Sequence, residues 1–414
     1  MKIAIIGAGI SGLTAAWLLM KSHDIVIYEA NDYAGGHTHT IDVQAEGTCY
    51  AVDTGFIVFN EVTYPTFCRL LADLEVPSQQ APMEFSVRNL GSGVEFSPRT
   101  VGTLFAQGRN VFSLSFYRML IEAMRLQSEF DHIIEGTMEM EIDRFLSGRG
   151  YSRRFIEELI IPLGASLWSS GPEEFRNFPV GNFARFFKNH GFLKRGKGLT
   201  WRVVRGGSRR YVEPLIARLG DRLRLSSPVK SLERTADSVI LEEAGGEKKP
   251  FDHAVIAVHS DQALALLRSA TEREREILGA IPYQENQVML HTDTSLLPKR
   301  RALWASWNYL IPEKPRDRVA VTYDMNILQS LHATREFLVT LNNPSGISKD
   351  TVIGTYTYHH PIYRPVAMEA QKRHAEISGQ NRTHFCGAYW GYGFHEDGAK
   401  SALTACTPLG VTLH

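Results

Sequence analysis

Three glycines, Gly7, Gly9 and Gly12, follow the apolar run Lys2 to Ile6 with G-x-G-x-x-G spacing. The chemistry of that spacing belongs to the backbone. Gly7 can turn at positive φ, Gly9 lacks the Cβ that would block a pyrophosphate, and Gly12 lets the next helix close onto the strand. A helix from Ser11 to Met20 then aims its unpaired N–H groups and positive dipole end at phosphates. A second apolar stretch, Asp24 to Tyr28, ends on Glu29, 17 residues beyond Gly12. A carboxylate there accepts hydrogen bonds from a ribose 2′-OH and repels a 2′-phosphate. Together these residues predict a bound FAD or NAD rather than NADP.

Further residues of chemical interest follow in order. Gly35-Gly36 again lets backbone lie against a ligand, and His37-Thr38-His39 continues the loop. The alternating histidines are read as hydrogen-bonding groups for a cofactor or solvent, with no metal expected. Tyr50 to Phe59 reads as a strand running into a turn at Asp53-Thr54-Gly55-Phe56. Near the C-terminus a strand delivers Gly387, an aromatic loop with Trp390, Tyr392 and Phe394 follows, and His395-Glu396-Asp397 leads into Gly398-Ala399. A helix starting there can turn its N-terminus toward a reduced ring and stabilise its negative charge. His359 and His360 are strand neighbours pointing to opposite faces, so they cannot easily share one metal, and a structural role is expected for at least one.

The elements that must position these groups resemble the flavin amine oxidase, protoporphyrinogen oxidase and phytoene desaturase superfamily. Its members follow the ribose-binding Glu with R-x-G-G-R and then D-x-G; the two arginine positions hold Tyr33 and His37 here. Arg205-Gly206-Gly207-Ser208 resembles the family's G-G-M-x-x-L turn, and Ser227 to Leu232 resembles the strand whose Val backbone, here Val229, holds the adenine side. The resemblance implies FAD, held by Gly7, Gly9, Ser11, Gly12, Glu29, Ala30, Gly35, Gly36, His37, Thr38, Asp53, Thr54, Gly55 and Phe56. It extends this set to Gly207, Val229, Gly387, Phe394, His395, Glu396, Gly398 and Ala399. The implied fold is α/β: a Rossmann-type FAD-binding domain with a parallel sheet, from 1–75, 205–282 and 374–414, and an inserted α+β substrate domain from 76–204 and 283–373.

The substrate domain is expected to contain a strand at Glu84 to Arg88, mostly helix from Thr100 to Ser147, and strands at Gln287 to Thr292, Val319 to Tyr323 and Thr351 to Tyr356. Phe178, Phe183, Phe186, Phe187 and Phe192, interleaved with Arg185, Lys188 and Lys194, read either as core with snorkelling bases or as a basic-rimmed mouth for a lipid. Many amine oxidases of the family carry a Lys where this chain has Asn286-Gln287, and an aromatic cage residue where it has His395. A closer resemblance, carried by Leu290-His291-Thr292-Asp293, Trp304 to Tyr309, His359-His360-Pro361 and Gly391 to Gly398, is to bacterial NAD/FAD-binding proteins associated with cyclopropane or methyl-branched fatty acyl synthesis. That implies an FAD-dependent acyl-chain desaturase with His395 as proton acceptor and Trp390, Tyr392 and His359 as further catalytic candidates. A flavin amine oxidase, a redox-neutral double-bond isomerase and a non-catalytic flavin-containing lipid-binding partner remain as alternatives.

Composition bounds the rest. With 45 Lys and Arg against 45 Asp and Glu, the 414-residue chain has no global field for nucleic acid. The clusters Lys194-Arg195-Gly196-Lys197 and Lys299-Arg300-Arg301 suit solvated loops or anionic lipid headgroups. Four cysteines without C-x-x-C spacing suit free thiols in a reducing compartment. Ile3 to Met20 carries no charge, yet its glycines make it strand, turn and helix rather than a leader. The expected setting is the cytoplasm, with peripheral contact at the inner membrane face, a hydrophobic small molecule or membrane lipid as substrate, and a fatty acyl methyltransferase as partner.

Overall fold

Lys2–Ile6 is buried from its second residue onward and becomes the central strand of a five-stranded sheet. The strand order is Leu223–Arg224, Asp24–Tyr28, Lys2–Ile6, His253–Ile256, Thr383–Phe385, with every neighbouring pair parallel. Strands covered on both faces read as continuous apolar runs, which is why Ile3 to Ile6 show no alternation. The computed structural model describes residues 1–136, 139–191, 198–314, 317–318 and 320–411. It divides into two compact units: Met1–Gln79, Val204–Tyr283 and Val366–His414 form the first, and Gln80–Val203 with Gln284–Pro365 the second.

In the first unit the turn after Ile6 feeds the helix Ile10–Leu19, all ten of whose residues are buried. The last helix, His395–Cys406, buries Gly398, Ala399, Ala402 and Ala405, small residues that permit close packing. Thr40–Ala45 and Thr48–Asp53 pair as an antiparallel hairpin. Its two-residue turn has Glu46 at φ 53° and Gly47 at φ 76°, the left-handed pair that matches strand twist. Val229–Arg234, Val239–Glu243 and Lys248–Phe251 form a meander whose exposed loop holds Gly245 and Gly246. The chain enters this unit for the last time at Val366, eight residues before the sequence-based boundary at 374. The reason is the helix Pro365–Lys372, whose Ala367 packs with Ile281 and Tyr389 and whose Ala370 joins the core cluster around Ile6 and Ile256.

The second unit is built on a seven-stranded sheet in the order Val352–Pro361, Tyr283–His291, Leu338–Leu341, Val321–Asp324, Trp307–Ile311, Phe85–Asn89, Glu95–Phe96. Of the expected strand Val319 to Tyr323, Val319 lies outside the described residues. A polar ladder crosses the buried sheet. His291 Nε2 meets Thr340 Oγ1 at 2.7 Å, Thr340 Oγ1 meets Thr322 Oγ1 at 2.8 Å, Asn308 Nδ2 donates to the Thr322 carbonyl at 3.2 Å, and Ser86 Oγ donates to Asn308 Oδ1 at 2.7 Å. Thr322 with Thr340 and Asn308 with Ser86 are direct cross-strand partners, so register alone aligns the rungs.

Helices Val101–Leu104, Gly108–Val111, Leu114–Gly136 and Ile142–Gly148 fill the stretch expected to be helical. The phenylalanine cluster is core and not a mouth: Phe178, Phe183, Phe186 and Phe187 are buried, and Trp168 stacks on Phe175 and meets Phe178 and Phe186 edgewise or tilted. Ring packing needs no open face. Phe192, Lys194 and the basic run through Lys197 lie outside the described residues. Among the described residues no helix is long and apolar enough to cross a membrane.

His291 ties stability to pH. Its Nδ1 accepts the Asp293 N–H at 3.1 Å, so Nε2 carries the proton given to Thr340. Burial holds its pKa down to about 4 from the ordinary 6.5, against a weaker pull from Asp293. His384, in the first unit, is likewise held down to about 4 by burial. A base depressed in the folded state contributes stability that is intact above pH 6.5 and lost as pH falls toward 4. The stability that the neutral His291 contributes should therefore fall between pH 7 and pH 4.5, read as the change with pH in the difference between wild-type and His291→Gln denaturant midpoints. That change should be on the order of 2 kcal/mol.

Candidate functional site

The glycine turn is shaped by what cannot fit in it. Gly7 sits at φ +97°, and a Cβ on Gly12 would lie 1.9 Å from the Gly7 carbonyl oxygen. At Gly9 a Cβ would meet nothing within 4 Å. This open side lies at the start of a helix that has no side-chain cap and no acidic residue in its first turn. Unsatisfied N–H groups beside open space make a phosphate site. Glu29 is aimed there from the end of its strand: Oε2 accepts the Ala8 N–H at 2.7 Å, and Oε1 accepts the Asn31 N–H and Nδ2 at 2.9 Å each. Ala30, next to it, is exposed. Gly35 donates its N–H to the Ala8 carbonyl at 2.8 Å, and a Cβ on Gly36 would come 3.1 Å from Gly9 Cα. The two glycine loops are thus in backbone contact, and these residues fit a dinucleotide.

The next group, expected at the cofactor, is also tied to the protein around it. Asp53 is fully buried, and its carboxylate accepts from Thr40 Oγ1 at 2.6 Å, from the Ser208 N–H at 2.9 Å and from Ser208 Oγ at 2.8 Å. Asp53 therefore fastens the hairpin to the turn at Gly207, which sits at φ +93° against Thr40. Burial pushes its carboxyl up to about 6 against these hydrogen bonds. Thr54 donates its N–H to the His39 carbonyl and Phe56 to the His37 carbonyl, at 2.9 and 2.7 Å. Gly55 permits this approach, since its Cβ would lie 2.1 Å from the His37 carbonyl oxygen. Val229 opens its strand half-buried against the core cluster.

At the C-terminal motif Gly387 donates its N–H to Ser401 Oγ at 2.9 Å, and Gly398 lies against the first helix, where a Cβ would come 2.7 Å from Ile10 Cγ2 and 2.9 Å from Ser11 Oγ. The last helix carries two acidic residues, Glu396 and Asp397, in its first turn. Asp397 accepts the Tyr392 and Phe394 N–H groups at 3.0 Å each, and burial raises its carboxyl to about 7. Glu396 is spent elsewhere: its two oxygens accept the Thr66 and Phe67 N–H groups at 3.1 and 3.0 Å, capping the helix Pro65–Asp73, which has no cap of its own.

His395 is enclosed. Its Nε2 lies 3.0 Å from both Thr38 Oγ1 and Tyr211 OH, its ring stacks on Phe56 at 3.4 Å between centroids, and Phe67 meets it edge-on at 5.5 Å. Burial, with a smaller push from His37, holds it neutral, well below the usual histidine range. The ring positions Thr38 and Phe56 and is not open to a substrate. Trp390 packs back onto core clusters and meets His374 edge-on at 4.5 Å, while Tyr392 is half-buried with its N–H on Asp397. His359 belongs to the second unit, exposed on a strand at the edge of its sheet, with Nε2 4.0 Å from Glu285 Oε2. His360 Nδ1 meets Asn286 Nδ2 at 2.8 Å, the structural role expected of one of the pair. Sequence reasoning passed over Thr40, Ser208 and Tyr211. Only Ser208, beside Gly206-Gly207, had a local signal.

With this geometry in place, the family can be stated. The sequence pattern of the flavin-containing amine oxidoreductases matches residues 10–301, and the chain belongs to that family. FAD is accordingly the dinucleotide for which the Gly9 opening, the uncapped helix and Glu29 are arranged. Tryptophan 2-monooxygenase of Allorhizobium ampelinum is 33% identical over 115 residues, a stretch covering 26% of this chain and 13% of that enzyme's length. Cyclohexylamine oxidase from Brevibacterium oxydans shares the fold at a TM-score of 0.70 and 16% identity, over 99% of both chains. A fatty acid isomerase from P. acnes that produces CLA does so at 0.71 and 17%, over 99% of this chain and 98% of that one.

Two substitutions test this site. Gly9→Ala should leave the melting temperature of the apoprotein unchanged, because the added Cβ meets nothing within 4 Å, and should sharply reduce retention of FAD, read as the ratio of 450 to 280 nm absorbance after desalting. His395→Ala should cost about 2 kcal/mol in chemical denaturation, since a stacked, hydrogen-bonded ring is lost.

Proposed function

We propose that this protein is an FAD-dependent oxidoreductase acting on a hydrophobic acyl chain, and that it introduces a double bond into an unsaturated or methyl-branched fatty acyl group. The observation that carries the reading is the neutrality of the positions where amine oxidases of the family place a lysine and an aromatic cage. Asn286 is fully buried and engaged by His360, Gln284 and Asn342, so no ammonium group belongs there. His395 is held neutral and enclosed, so it makes no cage for a cationic amine. The fold is compatible with this substrate class, since a fatty acid isomerase shares it.

Bound FAD supplies a two-electron acceptor for a hydride from an allylic carbon. The double bond forms as that hydride leaves one carbon and a proton passes from its neighbour to water. The chain's own part is orientation: Glu29 and the glycine loops fix the dinucleotide, and Asp53, Glu396 and Asp397 hold the loops around it. His395, as placed here, positions the loop at Thr38 and takes no proton from the substrate.

The test is anaerobic titration of the flavoprotein. Unsaturated or methyl-branched phospholipid should bleach the flavin lastingly, and a panel of amines should leave it oxidised. Bleaching by amines alone would return the protein to amine oxidation, transient bleaching by lipid would make it an isomerase, and a silent flavin would leave a lipid-binding role.

A further inference from the structure

The helix Leu114–Gly136 is apolar on two faces. Phe116, Met119, Leu126, Phe130 and Ile133 are buried against the second unit's core. Leu114, Tyr117 and Ile121 are exposed by 86, 40 and 60%. At about 100° per residue these three fall within about 60° of one another and opposite the buried face. A surface helix needs a single apolar stripe, and a second one calls for its own partner. The patch continues into the preceding segment, where Val101 and Phe112 are exposed by 74 and 88%.

Two features decide what covers it. Phe112 and Leu114 are exposed nearly as fully as free side chains, so they protrude. Protruding tips suit insertion into a fluid phase better than the flat contact of a second copy, which needs a broad complementary surface. Along the segment that carries the patch, positive charges outnumber negative ones. From Ser97 to Arg125 the sequence carries four arginines, Arg99, Arg109, Arg118 and Arg125, and one carboxylate, Glu122, which is buried. Arg118 pairs with Glu122 and Arg125 with Glu129, yet their side chains stay 60 and 42% exposed beside the stripe. Arg99 pairs with Glu84 and is 37% exposed. An apolar stripe bordered by arginines fits the headgroup and acyl boundary of an anionic membrane.

We infer that the exposed face formed by Val101, Phe112, Leu114, Tyr117 and Ile121 docks this protein on the surface of an anionic phospholipid bilayer. The contact is in-plane and reversible, made by side-chain tips and arginines. It stands independently of which substrate the flavin oxidises.

The test is co-sedimentation of the full-length flavoprotein with vesicles of phosphatidylglycerol and phosphatidylcholine, against vesicles of phosphatidylcholine alone. The wild type should partition at least tenfold more strongly onto the anionic vesicles, and added salt should release it. The double variant Phe112→Ser, Leu114→Ser should lose at least tenfold of this binding, with its melting temperature and flavin spectrum unchanged, as expected for exposed positions. Equal sedimentation of variant and wild type would overturn the inference. So would a wild type that ignores both vesicles, or one that is a dimer in solution which the same substitutions split.

Discussion

Close approach of two helices at one glycine is the constraint on which the first unit rests. The helix Ile10–Leu19 and the helix His395–Cys406 meet where Gly398 faces Ile10 and Ser11, and any side chain at Gly398 would overlap both. Gly12 seats the first helix against the Gly7 carbonyl in the same way. With both contacts made, the residues nearly four hundred positions apart in the chain are held around one opening. Packing of this kind tolerates almost no added volume, because protein interiors have few voids to take it up.

Around that seam the polar groups are used as fasteners. Asp53 and Glu396 are buried carboxyls whose partners are backbone N–H groups and hydroxyls of other segments, and the half-buried Asp397 holds the N–H groups of the loop just before its helix. Each satisfies donors that would otherwise be stranded, and an unpaired buried donor costs about 1–3 kcal/mol. Burial raises all three above the ordinary carboxyl range, which measures how far from water they sit. The opening beside Gly9 is the contrast. There the helix N-terminus is left without a cap, and the donors await a ligand.

The second unit solves a different problem. A wide sheet with a buried polar face needs every hydroxyl and amide satisfied, and the ladder from His291 to Ser86 does this by placing partners at matching register. Its aromatic cluster around Trp168 gives a dense, ring-packed interior. The long helix Leu114–Gly136 joins that interior by one face and leaves the other to its surroundings.

The nucleotide site was legible from the amino-acid order because its residues are local. Gly7, Gly9, Gly12 and Glu29 lie within one strand, turn, helix and strand, and their spacing carries the geometry directly. The same holds for the fold class. What the order of residues could not reveal is how side chains distant in sequence are spent. Asp53, Glu396 and His395 look like ligand contacts in one dimension, and only folding brings Ser208, the N–H groups of Thr66 and Phe67, and Tyr211 to them. Helical periodicity likewise marks Leu114, Tyr117 and Met119 as apolar but cannot tell which face is covered. That depends on what packs against the helix, and tertiary structure alone decides it.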